Sequence, residues 1–352
     1  MPVPQTPASA RARLCRGHRL PRPLAGAERA QVRLGAVLPA YLPTSEFTFM
    51  AMQDYSETFR GGPVGFLLIH GLGGTPVEMR FVARGLARAG YTVHCPQLAG
   101  HCGSFEDLRA TGWKDWYHSV QTAHRELRNT CNKVIAGGLS MGAILALHLA
   151  AEYPMDVHAT TLFAPTLKLD GWGVPWYSIF FNLVRSEWGA NLVRFAEREP
   201  YGIKDPRLRA LVTSAINSGD SSQAGQMCNP GRVMLEMRRL VTVVRHELRC
   251  IRQPTLIIHP RHDDRASLGN AAYLQGALGG LVETCVLDDS YHVVTIDRQR
   301  DIVVERAAAF AKRIGIESIG DRSEDLSEIA DMFSARANLK VPAPATLKRW
   351  VG

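Results

Sequence analysis

The stretch Val134-Ile135-Ala136-Gly137-Gly138-Leu139-Ser140-Met141-Gly142-Ala143 constrains this chain more than any other. It reads as a short buried strand, a sharp turn and the first turn of a helix. The turn carries Gly138-x-Ser140-x-Gly142, and the spacing has a steric cause. A serine perched between a strand and a helix sits in a strained conformation, so the residues two before and two after it must be nearly free of side chain. Ser140 Oγ then stands clear of the sheet edge, and the Met141 N–H lies at a helix N-terminus where it can face an anion. With 31 glycines in the chain the spacing alone is a weak signal. Its context strengthens it, because Ile144, Leu145, Leu147, His148, Leu149 and Ala151 continue as a mostly apolar helix ending near Tyr153-Pro154.

The sequence has 352 residues, enough for one large α/β domain with additions. An apolar share of 46% and a mean hydropathy of -0.09 fit a soluble globular protein. No run reaches the ~18 uninterrupted apolar residues of a transmembrane helix, so no stable membrane span is expected. The net charge of +8 is modest, and part of it comes from the first fifty residues, which hold seven Arg against Glu28 and Glu46. No compact basic stripe is interleaved with aromatics, which argues against a nucleic-acid partner. Seven cysteines are scattered, none in C-x-x-C. That pattern predicts a reducing, cytoplasmic setting without a disulfide framework or a zinc site.

Residues 1–50 are rich in Pro, Ala and Arg and are expected to be a disordered extension. They lack the apolar core of a secretory signal. They are Arg-rich and acid-poor as a transit peptide would be, yet also Pro-rich. The folded pattern begins just after Met50 and Met52, which favours a translation start there. Gln53 to Phe59 suits a short edge strand. Val64–Ile69 suits a central parallel strand buried on both faces. It leads into His70-Gly71-Leu72-Gly73-Gly74-Thr75-Pro76, where Thr75 is a candidate N-cap and Pro76 the first helical residue. Met79, Val82, Leu86 and Ala89 give the helical stripe, and Gly90 closes it. Tyr91–Cys95 form the next strand by pattern, Thr111 is read as the cap of a helix bearing Trp113 and Trp116, and Val157–Phe163 is another strand. Alternating strands and helices predict a mostly parallel sheet wrapped by helices.

From Ala164 to about Arg252 that rhythm breaks. An aromatic stretch with Trp172 and Trp176 is followed by polar helices (205–217, then 233–244) and a loop at Ser218–Ser222. This reads as a helical lid above the sheet. The sheet resumes at Thr255–His259, with a helix from Leu268 to Leu278, a strand at Val282–Leu287 and a last helix from about Arg298 to Arg313. The expected organisation is an α/β core over 51–164 and 253–315, a cap over 165–252 and a tail over 316–352.

A serine nucleophile needs a base, and the base needs an orienting carboxylate. In such a sheet the chain order is Ser, then Asp or Glu, then His. Of twelve histidines only His292 lies beyond the Asp263-Asp264 pair, so it is the expected base. Asp263 is preferred as the acid, with Asp264 as a turn or helix-start residue and Asp288 and Asp289 in reserve. Two N–H donors must converge on an oxyanion. Met141 and Leu72 are the candidates, and the loop glycines, Gly71 among them, allow close backbone approach. His70 and His101 are read as shaping the loop.

Taken together, His70-Gly71-Leu72-Gly73-Gly74, Gly138-Leu139-Ser140-Met141-Gly142, Arg261-His262-Asp263 and Ser290-Tyr291-His292 resemble the α/β-hydrolase superfamily, and within it the carboxylesterase and monoacylglycerol-lipase-like group. The likeness covers roughly residues 60–315. It implies the α/β-hydrolase fold with a cap after the sixth strand, a Ser140-Asp263-His292 triad with Leu72 and Met141 as oxyanion donors, and hydrolysis of carboxylic esters without metal or cofactor; the apolar insertion suggests a medium or longer acyl chain. Gly71, Leu72, Trp172 and Trp176 are the expected substrate contacts. Thioesterase, acyltransferase and peptidase chemistry would use the same triad. Ser140 in place of a carboxylate argues against a dehalogenase or epoxide hydrolase, and the intact acid and base argue against a purely ligand-binding relative.

Overall fold

The computed structural model describes residues 53–217, 225–226 and 228–318. The extension expected at 1–50, the loop expected at 218–222 and all but the first three residues of the expected tail lie outside the described residues.

Nine strands are described: β1 (Glu57–Phe59), β2 (Val64–Ile69), β3 (Thr92–Cys95), β4 (Lys133–Leu139), β5 (Val157–Phe163), β6 (Arg194–Ala196), β7 (Cys228–Pro230), β8 (Thr255–Pro260) and β9 (Val282–Leu287). Seven of them form one sheet in the order β1-β3-β2-β4-β5-β8-β9. All its pairings are parallel except the antiparallel β1–β3 edge. The central strands β2 and β4 are buried along nearly their whole length. That is why they read as continuous apolar runs and not as alternating ones: each face of the sheet is covered. The pleat divides β2 between two cores. Phe66 and Leu68 pack on one face with Leu86 and Phe310, whereas Leu67 and Ile69 pack on the other with Trp116 and Leu145.

The helices α1 (Arg80–Arg88), α2 (Phe105–Ala110), α3 (Trp113–Arg128), α4 (Met141–Glu152), α5 (Glu187–Asn191), α6 (Pro206–Asn217), α7 (Gly231–Glu247), α8 (Gly269–Ala277) and α9 (Arg300–Ser318) connect or flank the strands. Thr75 caps the 3-10 turn Pro76–Met79 before α1, accepting the Val77 N–H at 3.3 Å. Thr111 does not cap α3. Gly112 holds that place, and Thr111 Oγ1 instead accepts the Trp116 indole N–H (3.0 Å) and donates to Leu108 O (3.1 Å). Helix α2 has no counterpart in the sequence reading, although Ser104 and Asp107 form a capping box there.

Between β5 and β8 the structure departs from a free-standing lid. Helix α7 packs into the same apolar core as the sheet, with Val233, Leu240 and Val244 joining Leu145 and Leu149 of α4. His148, within the apolar body of α4, pairs with Glu247 of α7 at 2.8 Å. The 165–252 insertion therefore shares the sheet's core at its C-terminal end. Its first part differs: the 3-10 segment Trp176–Leu183 has no buried residue.

Among the described residues no helix is long and apolar enough to cross a membrane. Cys95, Cys131, Cys228 and Cys285 are free thiols. Cys250 is disulfide-bonded, which the scattered cysteine spacing did not suggest.

Candidate active site

Ser140 joins β4 to α4 with φ 55° and ψ −112°. Non-glycine residues avoid this region at a cost of about 1–3 kcal/mol, and they persist there where surrounding structure holds them. Here the hold is visible. The Ser140 N–H donates to Phe163 O of β5 (2.9 Å). A Cβ on Gly138 would stand 2.3 Å from Ile69 O, and one on Gly142 would stand 2.1 Å from the same oxygen. The close approach of β2 to the elbow thus explains both glycines. Gly142→Ala forces a methyl against a backbone oxygen, an overpacking cost of about 3 kcal/mol. The expected result is a Tm lowered by roughly 6–12 °C, read by differential scanning fluorimetry; an unchanged Tm would refute the steric account.

Asp263 and His292 meet. His292 Nδ1 lies 2.9 Å from Asp263 Oδ2 and 3.0 Å from Oδ1. Asp263 follows β8 and His292 follows β9, neighbouring parallel strands whose C-terminal ends open on the same side as Ser140. Both side chains are buried. Burial alone would lower the imidazole pKa, but the adjacent Asp263 carboxylate outweighs it and holds His292 above its ordinary value. The reciprocal holds for Asp263: burial works to raise its pKa, yet His292 keeps it below the usual carboxylate range. Asp263 Oδ1 also accepts the N–H groups of Arg265 (2.7 Å) and Ala266 (2.9 Å).

Asp264 makes no hydrogen bond to the His292 ring and starts no helix. Its carboxylate accepts the His292 N–H (3.3 Å) and the Gly202 N–H (3.0 Å), so it ties the histidine loop to the insertion. Asp297, which no sequence signal marked, does similar work. It accepts the N–H groups of Tyr291 (2.8 Å), Lys204 (2.9 Å) and Asp205 (3.0 Å). Asp288 and Asp289 point elsewhere, to Arg261 and to Lys204.

Ser140 and His292 line one cavity of about 290 Å³, together with Gly71, Leu72 and Leu139. Ser140 Oγ donates to Thr166 Oγ1 (3.1 Å), which donates to Ala164 O (3.1 Å). The serine hydroxyl is thus turned to Thr166 and not to the imidazole. Among the described residues the N–H groups of Leu72 and Met141 have no hydrogen-bond partner. His70 is buried and held neutral, its pKa lowered to about 3 by burial and by neighbouring His101. It bonds Gly71 O through Nδ1 (2.9 Å) and accepts the Leu98 N–H at Nε2 (3.2 Å).

Trp172 and Trp176 are not in the cavity wall. Trp172 is 59% exposed and Trp176 78%. The Trp172 indole donates to His262 O (3.0 Å) and packs edge-on against Tyr291. The same segment instead contributes Gly173, Val174, Pro175 and Ser178 to the cavity. The bulky residues mark the right stretch, but the chain turns its small side chains inward. Sequence reasoning also missed Glu78, Glu197 and Arg265 in the wall.

A mostly parallel sheet with a strained serine elbow after a central strand is the architecture of one large class of enzymes, and the comparisons agree. Residues 66–306 match the model of the alpha/beta hydrolase family, and the chain belongs to that family. Its relatives include the thermostable monoacylglycerol lipase of Bacillus sp. (strain H-257), 32% identical over 72% of this chain and 93% of the relative. A carboxylesterase of Bacillus subtilis (strain 168) is 26% identical over 73% of this chain and 96% of that protein. Among solved structures, one from a study of LipS and LipT, two metagenome-derived lipolytic enzymes, superimposes with a TM-score of 0.62. It is 25% identical, over 73% of this chain and 97% of that chain. A soluble variant of monoglyceride lipase from Saccharomyces cerevisiae, 15% identical over 74% of this chain and 91% of that one, shares the fold with a TM-score of 0.62. Within the family this chain is a carboxylic ester hydrolase of the lipase and esterase kind.

Proposed function

We propose that this chain hydrolyses medium or long acyl esters, monoacylglycerols among them, through a Ser140-His292-Asp263 triad. Ser140 Oγ attacks the ester carbonyl while His292 takes its proton. The carbonyl π pair moves onto oxygen, where the Leu72 and Met141 N–H groups receive it. His292 returns the proton to the leaving alcohol, and water then releases the acyl group from Ser140 by the same route. The observation that carries this reading is His292, hydrogen-bonded to Asp263, on the same cavity as the strained Ser140. Each oxyanion donor contributes about 3 kcal/mol of transition-state stabilisation.

The preference for acyl chains rests on the cavity wall, which includes Val174, Phe195, Val212, Met234, Met237 and Ile296. Burial of a methylene is worth about 0.8 kcal/mol, so six extra methylenes outweigh the ordering of a longer chain. In a p-nitrophenyl series of acetate, butyrate, octanoate and palmitate, kcat/KM for octanoate is expected to exceed that for acetate by at least about 100-fold. A series that peaks at acetate would overturn the acyl preference, and absence of turnover on every ester would overturn ester hydrolysis at this site. The named relatives, a monoacylglycerol lipase and a carboxylesterase, support the same substrate class.

A further inference from the structure

Glu78 stands in the 3-10 turn Pro76–Met79 that follows the Gly-rich loop, and it lines the cavity. Gly71 is held on both of its peptide units, by Glu78 on the N–H and by His70 and Gly74 on the carbonyl. The Gly71 N–H donates to Glu78 Oε2 at 3.2 Å. The Gly71 carbonyl lies 2.9 Å from His70 Nδ1 and accepts the Gly74 N–H at 3.2 Å. That carbonyl and the Leu72 N–H belong to one planar trans peptide, so they point in opposite directions. Fixing Gly71 therefore fixes the direction of the Leu72 N–H. The grip is close to the candidate nucleophile, since a Cβ on Gly71 would lie 3.8 Å from Ser140 Cβ. It also depends on the loop: a Cβ on Gly74 would stand 2.3 Å from Glu78 Oε1, so only glycine there lets the carboxyl fold back over the loop.

We propose that Glu78 is a positioning residue, which holds the Gly71 N–H and so aims the Leu72 N–H at the oxyanion formed on attack by Ser140. The proposal rests on the Ser140 reading above. The role needs an acceptor and not a charge. Charged or titratable groups near Glu78 are His292, Glu197 and Arg265, the last two paired with each other. Burial raises the Glu78 pKa to about 7, against the pull of Gly71, His292 and Arg265. Near neutral pH much of it is therefore uncharged, and a neutral carboxyl still accepts through its carbonyl oxygen. A neutral acceptor also adds no negative charge beside the forming oxyanion.

The test compares Glu78→Gln, Glu78→Ala and Glu78→Met on p-nitrophenyl octanoate, with Ser140→Ala as the reference and Tm measured for each. A second readout is inhibition by an alkyl trifluoromethyl ketone. Its carbonyl carbon bonds to Ser140 Oγ, the π pair moves to oxygen, and the serine proton passes to His292, giving an oxyanion held in the same place. Loss of a whole oxyanion donor costs 10²–10³-fold; a donor left in place but poorly aimed should cost about 10–100-fold. Glu78→Ala and Glu78→Met should lose that much in kcat with KM within about twofold, and the ketone should weaken in parallel. Glu78→Gln should keep kcat within about threefold. Where Glu78→Ala does not fold, Glu78→Met carries the comparison. The inference is overturned if the folded acceptor-less variant retains kcat, if Glu78→Gln loses as much as it does, or if ketone affinity is unmoved. Each of those outcomes, with Ser140→Ala inactive, leaves the nucleophile assignment standing. Activity retained in Ser140→Ala would bring down the nucleophile assignment itself.

Discussion

Replacing Ser140 with Ala is expected to lower kcat on p-nitrophenyl octanoate by on the order of 10⁶-fold, leaving Tm unchanged or raised. The size follows from the chemistry. Without Oγ no acyl-enzyme forms, and only the oxyanion donors and the cavity remain to assist a direct attack by water. The stability side follows from the elbow. Ala at φ 55° suffers the same backbone strain as Ser, so the strain cancels in the comparison. What is lost is one hydrogen bond to Thr166 at 3.1 Å, and Thr166 keeps its own bond to Ala164 O. A folded Ser140→Ala that retains even a tenth of wild-type turnover would remove Ser140 from the mechanism. The pairing of a dead enzyme with an intact Tm is informative because Gly142→Ala, two residues away, should instead lower Tm by roughly 6–12 °C.

Much of this was legible in the sequence where one local rule decides one local outcome. The strands at Val157–Phe163 and Val282–Leu287 have the bounds the sequence pattern suggests, the first buried almost throughout and the second an edge strand that buries only Leu287. The elbow glycines were legible because a steric need sets their spacing. The meeting of Asp263 and His292 was legible through chain order in a parallel sheet. The tertiary contacts were not. Trp172 and Trp176 carry the expected apolar bulk, but which side of that segment faces inward depends on Trp172 reaching His262 O, 90 residues away. Asp264 looks like a turn residue until Gly202 and His292 arrive beside it. Glu78 shows no motif at all; its meaning comes from a loop glycine seven residues earlier. Helix α7 reads as part of a lid because it follows β5 in the chain, whereas its apolar face reaches α4 of the core.

Asp263→Asn is expected to lower kcat by about 10⁴-fold, or roughly 5.4 kcal/mol, with little change in KM. The environment decides how Asn would sit. Oδ1 of Asp263 already accepts the Arg265 and Ala266 N–H groups. An Asn keeps its one carbonyl oxygen there and turns its NH₂ to His292 Nδ1. The imidazole must then carry its proton on Nε2, the nitrogen that should be free to take the proton of Ser140. The pH profile provides an independent check with a definite sign. The Asp263 carboxylate holds the His292 pKa above its ordinary value against the pull of burial. Once that carboxylate is neutralised, burial is left to act and the pKa falls. The residual activity of the variant should therefore rise at lower pH than that of the wild type, its acid limb moved downward. Asp264→Asn provides the contrast: Asp264 holds backbone N–H groups of Gly202 and His292 and faces Arg265, its pull on the His292 pKa is weaker than that of Asp263, and the variant should lose far less in kcat and move the acid limb less. Should Asp264→Asn instead suffer the 10⁴-fold loss while Asp263→Asn stays active, the orienting carboxylate would be the other member of the pair. The 2.9 Å bond between Asp263 and His292 would then be a feature of the resting enzyme and not of its reaction.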